Sequence, residues 1–242
     1  QNNLDQIRYE ISKNKEQIDF NIILDITKNA FFIDILNFQK LENSNLELKI
    51  KGKKNPKKEL VFNEISLKEN NNKISFKKLI LSNNYKLKDI KLISIDILDK
   101  ENLKNEIQIS KRNKFYLIKG SSFSINKIVD KFLDLNNNKK LFFSNKKFKF
   151  EFDIEKIYFN KNSRIKNLKG FLILDKNEIK DLSLISNFSD QKKIKFTIKT
   201  KDSEKITTLF SHQAKPLVDR YKFIKGFNEG SLDFYSIKKG NQ

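Results

Sequence analysis

Apolar and charged residues alternate one for one along much of this chain. The clearest stretch is Lys147 to Glu155, K-F-K-F-E-F-D-I-E, where Phe148, Phe150, Phe152 and Ile154 take every second position. Successive side chains of a β-strand point to opposite faces, so this spacing predicts a strand with one apolar face and one wet face. Leaving the apolar row in water would forfeit about 1.5–3 kcal/mol per side chain, roughly 6–12 kcal/mol for the four, which rivals the net stability of a domain. The row therefore needs a cover. What supplies it is the functional question.

The same rhythm recurs at Tyr9/Ile11, Ile18/Phe20/Ile22, Leu46/Leu48/Ile50, Ile74/Phe76, Ile107/Ile109, Phe171/Ile173, Ile194/Phe196/Ile198 and Leu232/Phe234. Some runs change phase midway. In K-I-S-F-K-K-L-I-L-S, Phe76 is followed by Leu79 and Leu81, a slip that predicts a bulge bending the strand. Asparagine clusters at Asn70-Asn71-Asn72, Asn83-Asn84 and Asn136-Asn137-Asn138 supply turn signals, because Asn tolerates positive φ. The pattern predicts a mainly β fold of long, twisted and curved antiparallel sheet, with two short amphipathic helices.

Those helices are the two breaks in the rhythm. In the first, about 124–135, Ser124 is placed as N-cap and Ile125, Ile128, Val129, Phe132 and Leu133 share one face. In the second, about 211–223, Ser211 caps and Ala214, Leu217, Val218 and Tyr221 lie on one side, with Gly226 as a stop signal. Phe123-Ser124 followed by Ile128-Val129-Asp130-Lys131-Phe132 parallels Phe210-Ser211 followed by Leu217-Val218-Asp219-Arg220-Tyr221, an internal repeat of sheet and then helix. Two units follow, 1–135 and 136–242, each ending in or carrying one helix that caps or plugs its sheet. The last residues form a hairpin-turn signal with no strand after it, so the chain reads as a segment of a longer protein.

Composition narrows the chemistry. Ile, Leu and Phe supply most of the apolar share, Ala occurs only at Ala30 and Ala214, and Cys, Met and Trp are absent, which favours strands over helices. A net charge of +20 raises a nucleic-acid reading. Yet Arg occurs only at Arg8, Arg112, Arg164 and Arg220, and the lysines are spread along the wet faces among Asp and Glu. Bidentate recognition prefers Arg, so no nucleic-acid partner is expected. With His212 as the only histidine and no cysteine, neither a His/Cys metal site nor a Cys–His pair can be built. Phosphate-cradling glycine loops and a G-x-S-x-G elbow are missing as well. The expectation is a non-enzymatic protein with no cofactor and no metal.

Four stretches resemble the AsmA-like family of bacterial envelope proteins, in its YhdP-type branch. They are F-N-I-I-L-D-I-T-K-N-A-F-F-I-D-I-L-N-F-Q-K at Phe20 to Lys40, Y-L-I-K-G-S-S-F-S-I-N-K-I-V-D at Tyr116 to Asp130, L-K-G-F-L-I-L-D-K-N-E-I-K-D-L-S-L-I-S at Leu168 to Ser186, and S-H-Q-A-K-P-L-V-D-R-Y-K-F-I-K-G-F-N-E-G-S-L-D-F at Ser211 to Phe234. Lys215 and Pro216 depart from the family's small glycine after Ala214, and Gly226 and Gly230 are separated rather than paired. The resemblance implies an elongated, repeating antiparallel β-sheet forming an apolar groove in the periplasm, which holds phospholipid acyl chains between inner and outer membranes. It also implies an inner-membrane anchor outside this segment and contacts with other envelope proteins. The residues expected to line the groove are Phe148, Phe150, Phe152, Ile154, Ile194, Phe196, Ile198, Leu232 and Phe234. Ile125, Ile128, Val129, Phe132, Leu217, Val218 and Tyr221 are expected to cap it. The alternative is a structural or interaction β-sandwich module of the cell envelope with a closed core, its two faces about 10 Å apart.

Overall fold

A computed structural model of the chain describes residues 4–57, 59–128, 147–175, 178–188, 192–201, 204–221 and 229–239. The fold is mainly β, with strand over 69% of the described residues. Fourteen strands make curved, mainly antiparallel sheet. Seven fall in each of two compact units, one formed by residues 4–111 and 127–128, the other by 112–126 and 147–239.

In the first unit the strands are β1 (Gln6–Asn14), β2 (Gln17–Ile26), β3 (Phe32–Ile33), β4 (Phe38–Gln39), β5 (Leu46–Lys54), β6 (Leu60–Glu69), β7 (Asn72–Leu81), β8 (Leu87–Leu98) and β9 (Lys104–Lys111). The sheet order is β1-β2-β5-β6-β7-β8-β9, and β3 pairs only with β4. Antiparallel register places Leu24, Leu48, Leu67, Ile74, Ile95 and Ile107 in one transverse row. Cross-strand partners share a face, so the period-2 pattern of each strand adds to one apolar face. The opposite face carries Glu47, Lys68, Lys73, Asp96 and Glu106 in the same way. Ion pairs such as Lys49–Glu47 and Lys111–Asp89 are partly exposed and stabilise only weakly.

The phase slip after Phe76 has a backbone cause: Lys78 adopts φ +50°, in the left-handed region. Along β5 and β6 the register shifts between Lys51 and Gly52. There Phe20 and Phe62 meet edge to face, 5.9 Å between centroids. A Cβ on Gly52 would lie 2.5 Å from the Val61 carbonyl oxygen and 2.9 Å from the Phe20 ring. The glycine is what lets the aromatic pair close over the bend. Predicted turns appear at Asn70 (φ +51°) and at Asn83-Asn84; Asn136–Asn138 lie outside the described residues.

The second unit contains β10 (Tyr116–Ser124), β11 (Phe148–Tyr158), β12 (Arg164–Asp175), β13 (Glu178–Asn187), β14 (Lys193–Lys201), β15 (Glu204–Ser211) and β16 (Leu232–Lys239), each beside the next. One pair departs from the expected antiparallel meander. β10 and β11 run parallel, which requires a crossover of a dozen or more residues, and residues 125–147 provide it. In β12 a register shift between Lys166 and Lys169 coincides with Asn167 at φ +56°, a bulge of the kind that bends strands.

Both predicted helix starts are displaced. Ser124 and Ser211 close β10 and β15 rather than capping helices. Helix is described at residues 126–128 and over Lys215–Tyr221. The Ser211 hydroxyl is committed to a local turn, donating to the Gln213 carbonyl at 2.6 Å, and the first helical bond runs from the Val218 N–H to the Ala214 carbonyl at 2.9 Å. Pro216 sits in that first turn, where its missing N–H costs nothing. The predicted helical stretches at 129–135 and 222–223 and the terminal turn at 240–242 lie outside the described residues.

Candidate functional site

The residues expected to line a groove come from three separate strands, and register brings them to one face. Phe152, Gly170, Leu184, Phe196, Leu209 and Phe234 form one transverse row of the second unit. Phe150, Leu172, Leu182 and Ile198 form the next, and Phe148 pairs with Leu174 and Ile154 with Leu168 on either side. Ile194 and Leu232 join through Ser211. β10 adds Tyr116 and Ile118, opposite Phe150 and Phe152, and the Tyr116 ring lies 5.5 Å from that of Phe150.

Cover over this face is uneven. Phe148, Ile154, Ile194 and Ile198 are buried. Phe150, Phe152, Phe196 and Leu232 are half-buried, and Phe234 is 46% exposed. In the first unit Ile18, Phe20, Ile22 and Leu24 are likewise half-buried. At its edge Ile7, Tyr9 and Ile11 are 68%, 72% and 60% exposed.

Each unit is tightly packed at one end of its apolar face. In the second, Ser186, Ile194 and Ser211 are aligned and buried, and the helix Lys215–Tyr221 that follows buries Leu217 and Val218 while Lys215 and Asp219 face solvent. Ala214, also buried, is tied to the chain beyond by its N–H donating to the Gly230 carbonyl at 2.8 Å. Of the expected capping residues, Ile125 and Ile128 are half-buried; Val129, Phe132 and the Tyr221 side chain lie outside the described residues.

The closure of the first unit is absent from the alternation. Residues 27–45, containing β3, a 3-10 turn at Asp34–Leu36 and β4, reach across the end of the face where Ile26, Leu46 and Glu69 are aligned. Phe38, Leu46 and Ile97 are no more than 1% exposed there. Glu69 occupies an apolar-face position, two residues after Leu67, and is buried. Its carboxylate accepts from the Leu41 N–H at 2.6 Å, the Ser44 hydroxyl at 2.5 Å and the Asn72 amide at 2.8 Å. Buried Lys40 donates its ammonium to the carbonyls of Thr27 and Leu41 at 2.8 and 3.1 Å. A charged residue in the apolar phase of β6 was the available signal for this latch.

Burial by itself would raise the Glu69 carboxyl, but the bonds from Ser44, Asn72 and Leu41, with the Lys40 charge, outweigh it and hold the group below its ordinary value of 4.5. A carboxyl lowered in the folded state stabilises above its unfolded value, and that contribution disappears as pH falls through the folded value. Wild-type thermal stability is therefore expected to decline as pH drops below 4.5. Glu69→Gln is expected to cost about 1–3 kcal/mol near neutrality, where one of the two acceptor oxygens becomes an NH₂ group facing latch donors, and to lack that part of the acid slope. Melting curves of both proteins from neutral pH down to about pH 3 check this; parallel slopes would remove Glu69 from the latch.

Among the described residues no group of three His, Cys, Asp or Glu side chains is placed to hold a metal ion, and no helix is long and apolar enough to cross a membrane. His212 is exposed, accepts from the Lys193 N–H at 3.0 Å and packs its ring 4.9 Å from that of Phe210. What the arrangement offers is therefore an apolar surface, continuous within each unit, partly covered, and latched at one end. No protein-family model, no curated protein and no solved structure matches the chain.

Proposed function

We propose that this chain is a non-enzymatic lipid-holding or lipid-transfer segment of an AsmA-like envelope protein, anchored to the inner membrane through a part outside this sequence and facing the periplasm. The observation that carries the reading is the register of β11 to β16, which gathers half-buried Phe150, Phe152, Phe196, Leu209 and Leu232 onto one face. Acyl chains complete the burial of such a face, at about 0.8 kcal/mol per CH₂ removed from water. No directional polar contact is needed, so the reading requires no catalytic constellation. A closed sandwich within the second unit would need a second sheet opposite; among the described residues β10 to β16 form that unit's only sheet.

Native mass spectrometry of the purified chain is expected to show phospholipid adducts, and a lipid-free spectrum counts against the reading. Phe196→Asp puts a charge in the middle of the apolar row. It is expected to reduce bound lipid at least tenfold while strand content by circular dichroism is retained. Wild-type lipid content in a folded Phe196→Asp protein would take this row out of the lipid surface.

A further inference from the structure

The apolar face of each unit ends, away from its latched side, in a row where lysine interrupts the pattern. In the second unit that row runs Thr200, Lys205, Lys238, in phase with Thr207 and Leu209 of β15 and with Phe234 and Ser236 of β16. Lys205 and Lys238 are direct cross-strand partners, and like charges so placed repel. In the first unit the last row runs Lys13, Ile18, Lys54, Leu60. Beside it the β1–β2 turn and Pro56 border an open hollow lined by Asn14, Lys15, Glu16, Gln17 and Pro56. None of these four lysines forms an ion pair among the described residues.

Folding alone gives no reason for this placement. Lys205 and Lys238 face each other directly, a repulsion that an uncharged residue at either position would avoid, and Lys13 and Lys54 flank Ile18 from the strands on its two sides. An anion at the rim reverses the balance, because two ammonium groups at one site then attract a common partner, and Lys is an effective point-charge ligand for phosphate. The dimensions agree with a tethered anion. From Lys205 to Ser211 at the latched end is six residues, about 20 Å of strand, against about 15 Å for the acyl layer of one membrane leaflet. Neighbouring strands lie about 4.8 Å apart, so the six strands of β11 to β16 offer width for two chains side by side.

We propose that Lys205 with Lys238, and Lys13 with Lys54, each bind the phosphate of an anionic phospholipid whose acyl chains lie along the adjoining apolar rows, headgroup at the lysine rim and chain ends toward the latch. The proposal rests on the lipid-holding reading above and adds to it the headgroup charge and the orientation of the lipid.

The test loads the full chain from vesicles of phosphatidylglycerol, of phosphatidylcholine, or with oleate, and counts bound molecules by native mass spectrometry. Phosphatidylglycerol is expected to exceed phosphatidylcholine at least tenfold at low salt, with the preference shrinking as salt screens the lysines. Combining Lys205→Gln, Lys238→Gln, Lys13→Gln and Lys54→Gln is expected to bring phosphatidylglycerol down to the phosphatidylcholine level and leave the latter unchanged. Loss of a repulsion should keep that variant folded, which circular dichroism checks. Equal uptake of both phospholipids by the wild-type chain overturns the headgroup site but not the lipid-holding reading, and uptake of neither overturns both. Oleate binding that matches phosphatidylglycerol and is lost with the lysines overturns the phospholipid assignment in favour of a fatty acid.

Discussion

Gly170→Ala is expected to unfold the second unit under conditions where the wild-type chain is stable, at a cost of about 4 kcal/mol or more. Gly170 sits in the row between Phe152 and Leu184 with φ +148°, a backbone conformation open to glycine and strained for any L side chain. Space is lacking as well as conformation. A Cβ there would lie 1.9 Å from the Ser183 carbonyl oxygen and 2.9 Å from the Leu184 Cα. Both obstacles are backbone atoms of the paired strand, so rotating a side chain relieves neither, and β12 and β13 would have to separate. Gly52→Ala makes the informative comparison: its nearest backbone obstacle, the Val61 carbonyl oxygen, is 2.5 Å away rather than 1.9 Å and its φ is not positive, so its cost should be smaller. Urea unfolding followed by circular dichroism gives both values, and a wild-type midpoint for Gly170→Ala would show that the two strands do not approach as described.

Phe38→Ala is expected to cost about 3–5 kcal/mol, the usual range for emptying a buried aromatic site. Phe38 is 1% exposed and belongs to a segment with little regular structure of its own, so its burial contributes much of what holds residues 27–45 across the sheet end. Neighbouring contacts fix that segment through polar groups: the Asn37 carbonyl accepts from the Lys100 N–H at 2.9 Å, and the Glu69 carboxylate takes the Leu41 N–H. With the ring gone, these bonds border a cavity. Besides a lower denaturation midpoint, the variant should bind more of a dye that reports exposed apolar surface. A loss under about 1 kcal/mol would mean that the site collapses around the alanine.

The strands were legible in the sequence because a sheet wet on one side preserves strict alternation, and the sides assigned to Phe148–Ile154, Ile194–Ile198 and Leu232–Phe234 agree with the observed register. The phase change after Phe76 was legible for the same reason, since any slip in a period of two moves the apolar set to the other face. Residues 27–45 left no periodic trace: Phe38 is buried by a segment whose β-strands are two residues long. The β1–β2 turn was silent too, as Lys15 takes φ +54° without the Asn or Gly that advertises such a turn. Alternation also says nothing about direction, so the parallel pairing of β10 with β11 could not be read from it. The second helix start was misplaced because a serine hydroxyl, here that of Ser211, serves a turn as readily as a helix cap.

That parallel pair exposes a counting rule. Wherever each strand lies beside its successor and runs against it, taking out two consecutive strands preserves every remaining direction, and every remaining connection stays at its own end of the sheet. Taking out one would leave two neighbours running the same way across a gap that a short turn cannot bridge. β10 and β11 stand in that relation, and they are joined by the 125–147 connection instead of a hairpin. Within either unit, sheet width is then a quantity that evolution or design can change in steps of two strands, about 9.6 Å at a time, with single-strand steps open only where a long crossover comes with them.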